Sequence, residues 1–211
     1  MKLPCVYPIL DTHLFESRQF RIERAAAAII EGGAGILQFR HKGHWTRAIF
    51  EQADKVARLC REGGCLPIVD DRADMALLLE AGLHLGQDDL LPRDARKLLG
   101  TAPEIGYSTH NDKQLSAAGG EPVNYVALGP IFATGSKDNP DPVVGLEQLR
   151  RWRALVEQPL VAIGGITRAN AQSVFDAGAD SVAVIADLLP DELSAIALRK
   201  RMEEWRQLTR K

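Results

Sequence analysis

Residues 35–70 read GILQFRHKGHWTRAIFEQADKVARLCREGGCLPIVD, and this stretch decides the fold. It begins with an apolar run at 35–40, continues as an amphipathic helical pattern at 45–62, and reaches a second apolar run at 66–70. Glycines at 63 and 64 end the helical pattern, as glycine commonly does at a helix C-terminus. Two strands joined through a crossover helix are parallel, so the stretch predicts a β-α-β unit.

The same unit repeats along the whole chain. Strands are predicted at 6–10, 35–40, 66–70, 83–85, 104–107, 125–128, 160–163 and 181–185. Helices are predicted at 20–31, 45–62, 73–80, 92–99, 111–118, 146–157 and 168–177, with a basic helix closing the chain. A doubly wound sheet usually has about five or six strands. Eight units instead favour an α/β fold, a single (β/α)8 TIM barrel that forms one domain over residues 1–211.

Composition limits the kinds of partner that the chain could bind. The sequence has 211 residues, 45% of them hydrophobic, and a formal net charge of −2, so no basic surplus indicates nucleic acid. No apolar run approaches the roughly 18 residues of a membrane-spanning helix, and no secretory signal is expected at the start. The three cysteines predict reduced thiols. We therefore expect a cytoplasmic protein with small-molecule partners.

In a barrel of this kind, functional groups lie at the carboxyl ends of the strands. Gln38, Arg40 and Lys42 alternate at the end of the second strand, so their side chains are expected on the same face. Arginine and lysine both suit phosphate oxygens. The sequence therefore predicts an anion site here, with a solvated basic loop as the alternative.

Acidic pairs follow the next two strands. Asp70 and Asp71 end the third strand, and Asp88 and Asp89 follow the fourth. Carboxylates together with phosphates and waters are the ligands that Mg²⁺ prefers. The pairs predict a magnesium site, while capping of a helix by Asp71 is the alternative. His84 alternates with apolar residues, and we expect it to be structural.

Small and hydroxyl-bearing residues follow the later strands. Ser108, after the fifth strand, could hold a ring or phosphate, or cap the next helix. The loop 129–137 after the sixth strand combines glycines, hydroxyls and a lysine, and glycines at 164 and 165 follow the seventh. Backbone amides in such loops can approach phosphate closely. These loops predict a second phosphate site, and a flexible turn at 164–165 is the alternative.

Taken in order, these motifs resemble those of the thiamine phosphate synthase family over nearly the whole chain. The resemblance rests on the segments 38–42, 86–89, 128–132, 134–137 and 163–166, and on Asp71 and Ser108. It implies a transferase that condenses hydroxymethylpyrimidine diphosphate with a thiazole phosphate. The products would be thiamine phosphate and diphosphate, and the reaction would depend on Mg²⁺.

The resemblance also implies a role for each matching residue. Asp71 and Asp89 would ligate Mg²⁺. The pyrimidine diphosphate would contact Gln38, Phe39, Arg40, His41, Lys42, Asp70, Ser108 and Lys137, of which Arg40, Ser108 and Lys137 would be catalytic. The thiazole phosphate would contact Thr134, Gly135, Ser136, Gly165, Ile185 and Ala186.

Two positions depart from the family pattern, and alternatives stay open. The family usually has asparagine at Asp70 and serine at Ala186. One alternative is a thiazole tautomerase-like relative that uses His110 as a base. Another is a non-catalytic relative that binds or senses thiazole phosphate. The sequence leaves open the oligomeric state, with a homodimer as one option, and whether the thiazole carries an extra carboxylate.

Overall fold

A computed structural model describes residues 3–135 and 141–208 and contains a closed parallel barrel of eight strands in sequential order. The strands are β1 (Val6–Asp11), β2 (Ile36–Arg40), β3 (Leu66–Asp70), β4 (Gly82–Leu85), β5 (Ile105–Thr109), β6 (Tyr125–Leu128), β7 (Leu160–Ile163) and β8 (Ser181–Val184). Closure is made by parallel pairing of β1 with β8, in which Tyr7 lies opposite Ala183. The predicted fold is confirmed.

Helices connect the strands and cover the outside of the barrel. They are α1 (Thr12–Ser17), α2 (Ile22–Glu31), α3 (Arg47–Glu62), α4 (Ala73–Leu78), α5 (Pro92–Leu99), α6 (Asp112–Ala118), α7 (Gly145–Trp152), α8 (Ala171–Asp176) and α9 (Ala195–Leu208). Short 3₁₀ segments occupy Arg153–Leu155 and Ala186–Leu188. Among the described helices, none is long and apolar enough to cross a membrane.

Several element boundaries differ from the sequence-based prediction. The first strand runs one residue further, to Asp11, whose carboxylate accepts a hydrogen bond from the Leu14 N–H at 3.2 Å. That cap starts α1, a helix that the sequence pattern did not predict. The helix predicted at 146–157 ends at Trp152 and continues as a 3₁₀ turn.

Two apolar clusters divide the molecule into an interior and an outer layer. Side chains alternate along each strand, so one set faces the barrel axis and the other faces the helices. The interior cluster contains Leu3, Tyr7, Ile9, Ile36, Ile68, Tyr125, Ala127, Val161 and Ala183. The larger cluster fills the space between strands and helices. This alternation also decides which polar residues reach the mouth of the barrel.

Candidate active site

Two cations from β2 lie among acidic residues at the mouth. The Arg40 guanidinium contacts the Asp11 carboxylate through Nη1, and its Nε lies 3.6 Å from the Asp70 Oδ2. Asp11 and Asp70 are both buried, and Arg40 is nearly so. Arg40 is therefore held between carboxylates from the strands on either side of β2.

Asp11 was not among the predicted site residues. The sequence does contain a pattern that points to Asp11. Tyr7, Ile9 and Asp11 alternate on one face of β1, and a charged residue at the carboxyl end of that face is expected at the mouth. The sequence-based strand ended one residue too early to include Asp11.

Lys42 connects the two carboxylates of the third strand. Its Nζ lies 2.8 Å from the Asp70 Oδ2, and 2.8 and 2.6 Å from the two Asp71 oxygens. Although burial acts to lower the pKa of Lys42, attraction by Asp70 and Asp71 raises it. The Lys42 side chain is still 48% exposed, so the ammonium remains accessible to an incoming anion.

Asp70 is a buried carboxyl with a strongly perturbed pKa. Burial raises its pKa to about 6, and the negative charge of Asp71 adds to the increase, while Lys42 and Arg40 act against it. Arg40, Lys42 and Asp70 therefore lie together at the mouth.

Asp71 and Asp89 bring carboxylates from neighbouring strands together. Asp71 has a positive φ of 62°, a conformation that aspartate adopts more readily than most residues, and its N–H bonds to the His84 carbonyl at 2.8 Å. The Asp89 Oδ2 accepts a hydrogen bond from the Gly86 N–H at 2.7 Å. Burial and repulsion by Asp71 raise the pKa of Asp89, whereas the bond from Gly86 lowers it.

This carboxylate pair suits a hard divalent cation. In the described part of the chain, no group of three or more His, Cys, Asp or Glu side chains is arranged to hold a metal. Asp71 and Asp89 could hold Mg²⁺ together with substrate oxygens and waters, a combination that is common for this ion. The mutual repulsion that raises the Asp89 pKa is the interaction that such an ion would relieve.

Two predicted contacts of β2 face away from the mouth. Phe39 is buried in the outer apolar layer, with its ring centroid 5.9 Å from that of Trp45. His41 bonds to Thr12 Oγ1 through Nδ1 at 2.8 Å, and its ring also contacts Trp45. The structure gives Phe39 and His41 contacts with Trp45 and Thr12, and contact of either side chain with a ligand stays a prediction. Alternation along the strand turns both side chains toward the helices.

Gln38 and Ser108 reach the interior and the mouth from opposite sides of the barrel. Gln38 is buried and donates a hydrogen bond to the Tyr7 hydroxyl at 3.1 Å. It precedes Arg40 by two residues on β2 and so lies deeper in the barrel than the charged groups at the mouth. Ser108 Oγ lies 2.8 Å from His84 Nε2, and the Ser108 carbonyl accepts a bond from Gln87 at 2.6 Å. Ser108 is half-buried, so its hydroxyl remains accessible from the mouth.

The loops after β6, β7 and β8 form the opposite side of the mouth. Phe132 N–H bonds to the Gly164 carbonyl at 3.0 Å, which fastens the loop after β6 to the loop after β7. Gly165 has a φ of 62°, and a Cβ there would lie 2.5 Å from the Ala133 carbonyl oxygen. Ile185 and Ala186 lead from β8 into the 3₁₀ segment.

These loops hold the predicted thiazole phosphate residues. Thr134 and Gly135 lie in the loop after β6 and directly follow Ala133, whose carbonyl oxygen is close to Gly165. Ser136 and Lys137 lie outside the described residues. His110, the base considered for a tautomerase, bonds through Nδ1 to the Gly129 carbonyl at 2.7 Å.

Comparisons with known proteins agree on one family. Residues 6–188 match the family model described as thiamine monophosphate synthase. A thiamine-phosphate synthase of Koribacter versatilis is 47% identical, covering 99% of this chain and 97% of the relative. One from Chloroflexus aurantiacus is 39% identical, with coverage of 93% and 90%. The structure described as thiamine phosphate pyrophosphorylase from Pyrococcus furiosus has a TM-score of 0.82 and 32% identity, covering 96% of this chain and 94% of that one.

Proposed function

The chain belongs to the thiamine monophosphate synthase family and is a transferase, and we propose that it condenses hydroxymethylpyrimidine diphosphate with a thiazole phosphate in a Mg²⁺-dependent reaction. The observation that carries the proposal is the cluster of Arg40, Lys42, Asp70 and Asp71 at the mouth, with Asp89 beside it. Cations, and carboxylates that can hold a metal ion, would together stabilise the negative charge of a departing diphosphate.

The proposed chemistry exchanges one bond for another at a single carbon. The bond between the pyrimidine methylene carbon and the diphosphate oxygen breaks, and its electron pair leaves with diphosphate. The pyrimidine ring stabilises the resulting carbocation. The thiazole nitrogen then donates its lone pair to the same carbon, which gives thiamine phosphate. No strong base is needed in this sequence.

The first task of the protein is to stabilise the leaving group. Arg40 and Lys42 would bind diphosphate oxygens, and Lys137 is proposed to join them. Asp71 and Asp89 would hold the Mg²⁺, which when bound neutralises charge that develops on the diphosphate. Arg40 and Lys42 are already held in place by Asp11 and Asp70, so these two cations would need little reorganisation as charge develops.

The second task is to orient the two rings. Ser108 would contact the pyrimidine, with Gln38 below it. On the other side of the mouth, Thr134, Ser136 and the backbone at Gly165 and Ala186 would bind the thiazole phosphate. Holding the thiazole nitrogen in line with the methylene carbon makes the second step effectively unimolecular.

A reconstituted reaction tests this function directly. Purified protein with both substrates and Mg²⁺ should form thiamine phosphate and diphosphate in equal amounts, and chelation of the metal should stop the reaction. The absence of thiamine phosphate at every Mg²⁺ concentration would contradict the proposal.

The same reagents separate the alternatives. A tautomerase-like protein would convert the carboxylated thiazole phosphate to its isomer without releasing diphosphate. A binding protein would give heat on titration with thiazole phosphate, yet release no diphosphate when both substrates and Mg²⁺ are present. Parallel assays with and without the carboxylate would identify which thiazole form is used.

A further inference from the structure

A chain of hydrogen bonds crosses the interior of the barrel and ends at Ser108. Gln38 Nε2 donates to the Tyr7 hydroxyl at 3.1 Å, and the Tyr7 and Tyr125 hydroxyls lie 2.8 Å apart. The Tyr125 hydroxyl lies 3.0 Å from His84 Nδ1, and His84 Nε2 lies 2.8 Å from Ser108 Oγ. Four strands contribute to this chain before β5 supplies the serine.

The two phenols at the centre of the chain are sealed from water. Tyr7 is 1% exposed and Tyr125 is 0% exposed, and their rings meet edge to face at 5.8 Å. Burial raises the pKa of both hydroxyls, so each keeps its proton. Gly106 leaves space for the Tyr125 ring, because a Cβ at residue 106 would lie 2.0 Å from it. The tyrosines therefore have fixed positions and one hydrogen each to donate.

The orientation of the Gln38 amide, with Nε2 toward Tyr7, sets the direction of the chain. Gln38 gives a hydrogen to the Tyr7 oxygen, so the Tyr7 hydrogen goes to the Tyr125 oxygen. The Tyr125 hydrogen then goes to His84 Nδ1. The opposite direction would require the Gln38 carbonyl oxygen, rather than Nε2, to face the Tyr7 hydroxyl.

This arrangement determines which ring nitrogen of His84 carries the proton. A ring nitrogen that accepts a hydrogen bond carries no proton, so an accepting Nδ1 leaves the proton of a neutral imidazole on Nε2. Nε2 then donates to Ser108 Oγ, which fills one of the two acceptor positions of that hydroxyl. The hydroxyl hydrogen of Ser108 is left to point away from His84, toward the mouth.

We propose that His84 is a positioning residue that, through the Gln38–Tyr7–Tyr125 chain, presents Ser108 to the ligand as a hydrogen-bond donor. The ligand atom at that place is therefore an acceptor, such as a ring nitrogen of an aromatic heterocycle. The nature of the ligand rests on the proposed function, in which a pyrimidine lies beside Ser108. The tautomer of His84 does not depend on that function.

Nitrogen NMR of histidine-labelled protein tests the tautomer without any substrate. In the wild type, His84 should be a single species with its proton on Nε2. The Tyr125→Phe variant removes the donor to Nδ1 and should convert His84 to a mixture of tautomers. Ser181→Ala, which removes another buried hydroxyl of the barrel interior, is the matched control and should leave the spectrum of His84 unchanged.

Either of two results would overturn the proposal. One is an Nδ1-protonated His84 in the wild type, which would make Ser108 an acceptor. The other is an unchanged His84 in a folded Tyr125→Phe variant. The wild-type measurement decides the matter even where that variant does not fold. Both readings remain valid if the protein makes no thiamine phosphate, so they are distinct from failure of the proposed reaction.

Kinetics of the condensation test whether His84 acts through Ser108. The amide nitrogen of glutamine can take the place of Nε2, whereas that of asparagine is too short to reach Ser108. His84→Gln should therefore retain at least tenfold more of kcat/KM than His84→Asn. On a Ser108→Ala background, His84→Asn should cause no further loss. Equal losses for both replacements, or fully additive losses with Ser108→Ala, would contradict the positioning role.

Discussion

Asp88 and Asp89 are neighbours in sequence and differ in their surroundings. Asp88 is exposed, whereas Asp89 is half-buried, bonded to Gly86 and repelled by Asp71. Asp89→Asn should therefore raise the Mg²⁺ concentration needed for half-maximal activity by about tenfold or more, since the proposed metal ligand would lose its charge. Asp88→Asn is the matched control and should leave that concentration unchanged. Calorimetric titration with Mg²⁺ provides a second readout, and equal behaviour of the two variants would rule out the assignment.

The raised pKa of Asp70 predicts a pH-dependent effect on stability. The unfolded pKa is near the ordinary 3.8 and the folded pKa is about 6, so the folded state holds the proton more tightly. The resulting stabilisation is present below about pH 4 and is lost as the pH rises through 6. Asp70→Asn should therefore raise the free energy of unfolding of the metal-free protein at pH 7.5 by about 1 to 3 kcal/mol.

Urea unfolding of the Asp70→Asn protein between pH 4 and 8 provides the measurement, with a chelator present throughout. The gain over the wild type should shrink as the pH falls below about 6 and vanish near 4. Asp88→Asn, an exposed change of the same kind, should show no such trend. A gain that is constant with pH would show that the Asp70 carboxyl is not perturbed.

At the scale of elements, β5 and β6 are fitted together through Gly106 and Tyr125. The missing side chain at Gly106 is occupied by the Tyr125 ring, which in turn contacts Tyr7 and His84. Gly106→Ala should therefore destabilise the protein by about 1 to 3 kcal/mol through overpacking, and lower activity by displacing His84. Gly120→Ala, where the nearest atom to the new carbon is at 3.6 Å, should change neither property.

Thermal unfolding and the rate of thiamine phosphate formation measure the two effects of Gly106→Ala. A variant that unfolds earlier yet keeps full activity would show that Tyr125 can move without disturbing the mouth. A variant with unchanged stability would mean that the barrel interior can accommodate the added methyl group at residue 106 without loss of packing.

Most helices and strands could be predicted from the sequence, because the spacing of apolar residues and the glycines at element ends are local features. The exact agreement of β6, β7 and α5 with prediction shows this, since each has clear flanking residues. The 3₁₀ segment at Ala186–Leu188 and helix α1 were missed. Each is short, and α1 is fixed by a cap from Asp11 rather than by an amphipathic pattern.

From the sequence, the candidate site could be predicted only where charged residues stand at the ends of strands. Alternation predicted that Arg40 and Lys42 share a face, and in the structure both lie close to Asp70. Phe39 and His41 were included through the family motif, and alternation alone would have turned them outward. The Tyr7–Tyr125 contact joins residues 118 positions apart, so no local pattern could reveal it.

At the scale of the whole molecule, the last helix completes the outer layer over the start of the chain. Trp205 of α9 is fully buried, and Met202 packs beside Gly32 at the end of α2. Trp205→Ala should lower the free energy of unfolding by about 3 to 5 kcal/mol because it opens a cavity between α9 and its neighbours. Ile196→Ala, in the same helix but 83% exposed, should stay within about 0.5 kcal/mol of the wild type.

Urea denaturation followed by backbone circular dichroism checks this expectation for both variants. A small loss for Trp205→Ala would show that α9 contributes little to the stability of the barrel. Loss confined to the signal of one helix, with the rest of the transition unchanged, would show that α9 unfolds as a separate unit.

The charges of Arg40, Lys42 and the carboxylates around them would also couple the binding of the two proposed ligands, Mg²⁺ and the diphosphate. Among the residues that the structure describes, the cations Arg40 and Lys42 lie among four carboxylates, those of Asp11, Asp70, Asp71 and Asp89. A diphosphate without a counterion would meet more negative than positive charge, whereas a divalent cation reverses that balance. Each ligand should therefore raise the affinity of the other by the same factor, as thermodynamic reciprocity requires. The proposed metal and the diphosphate would then bind more tightly together than either binds alone.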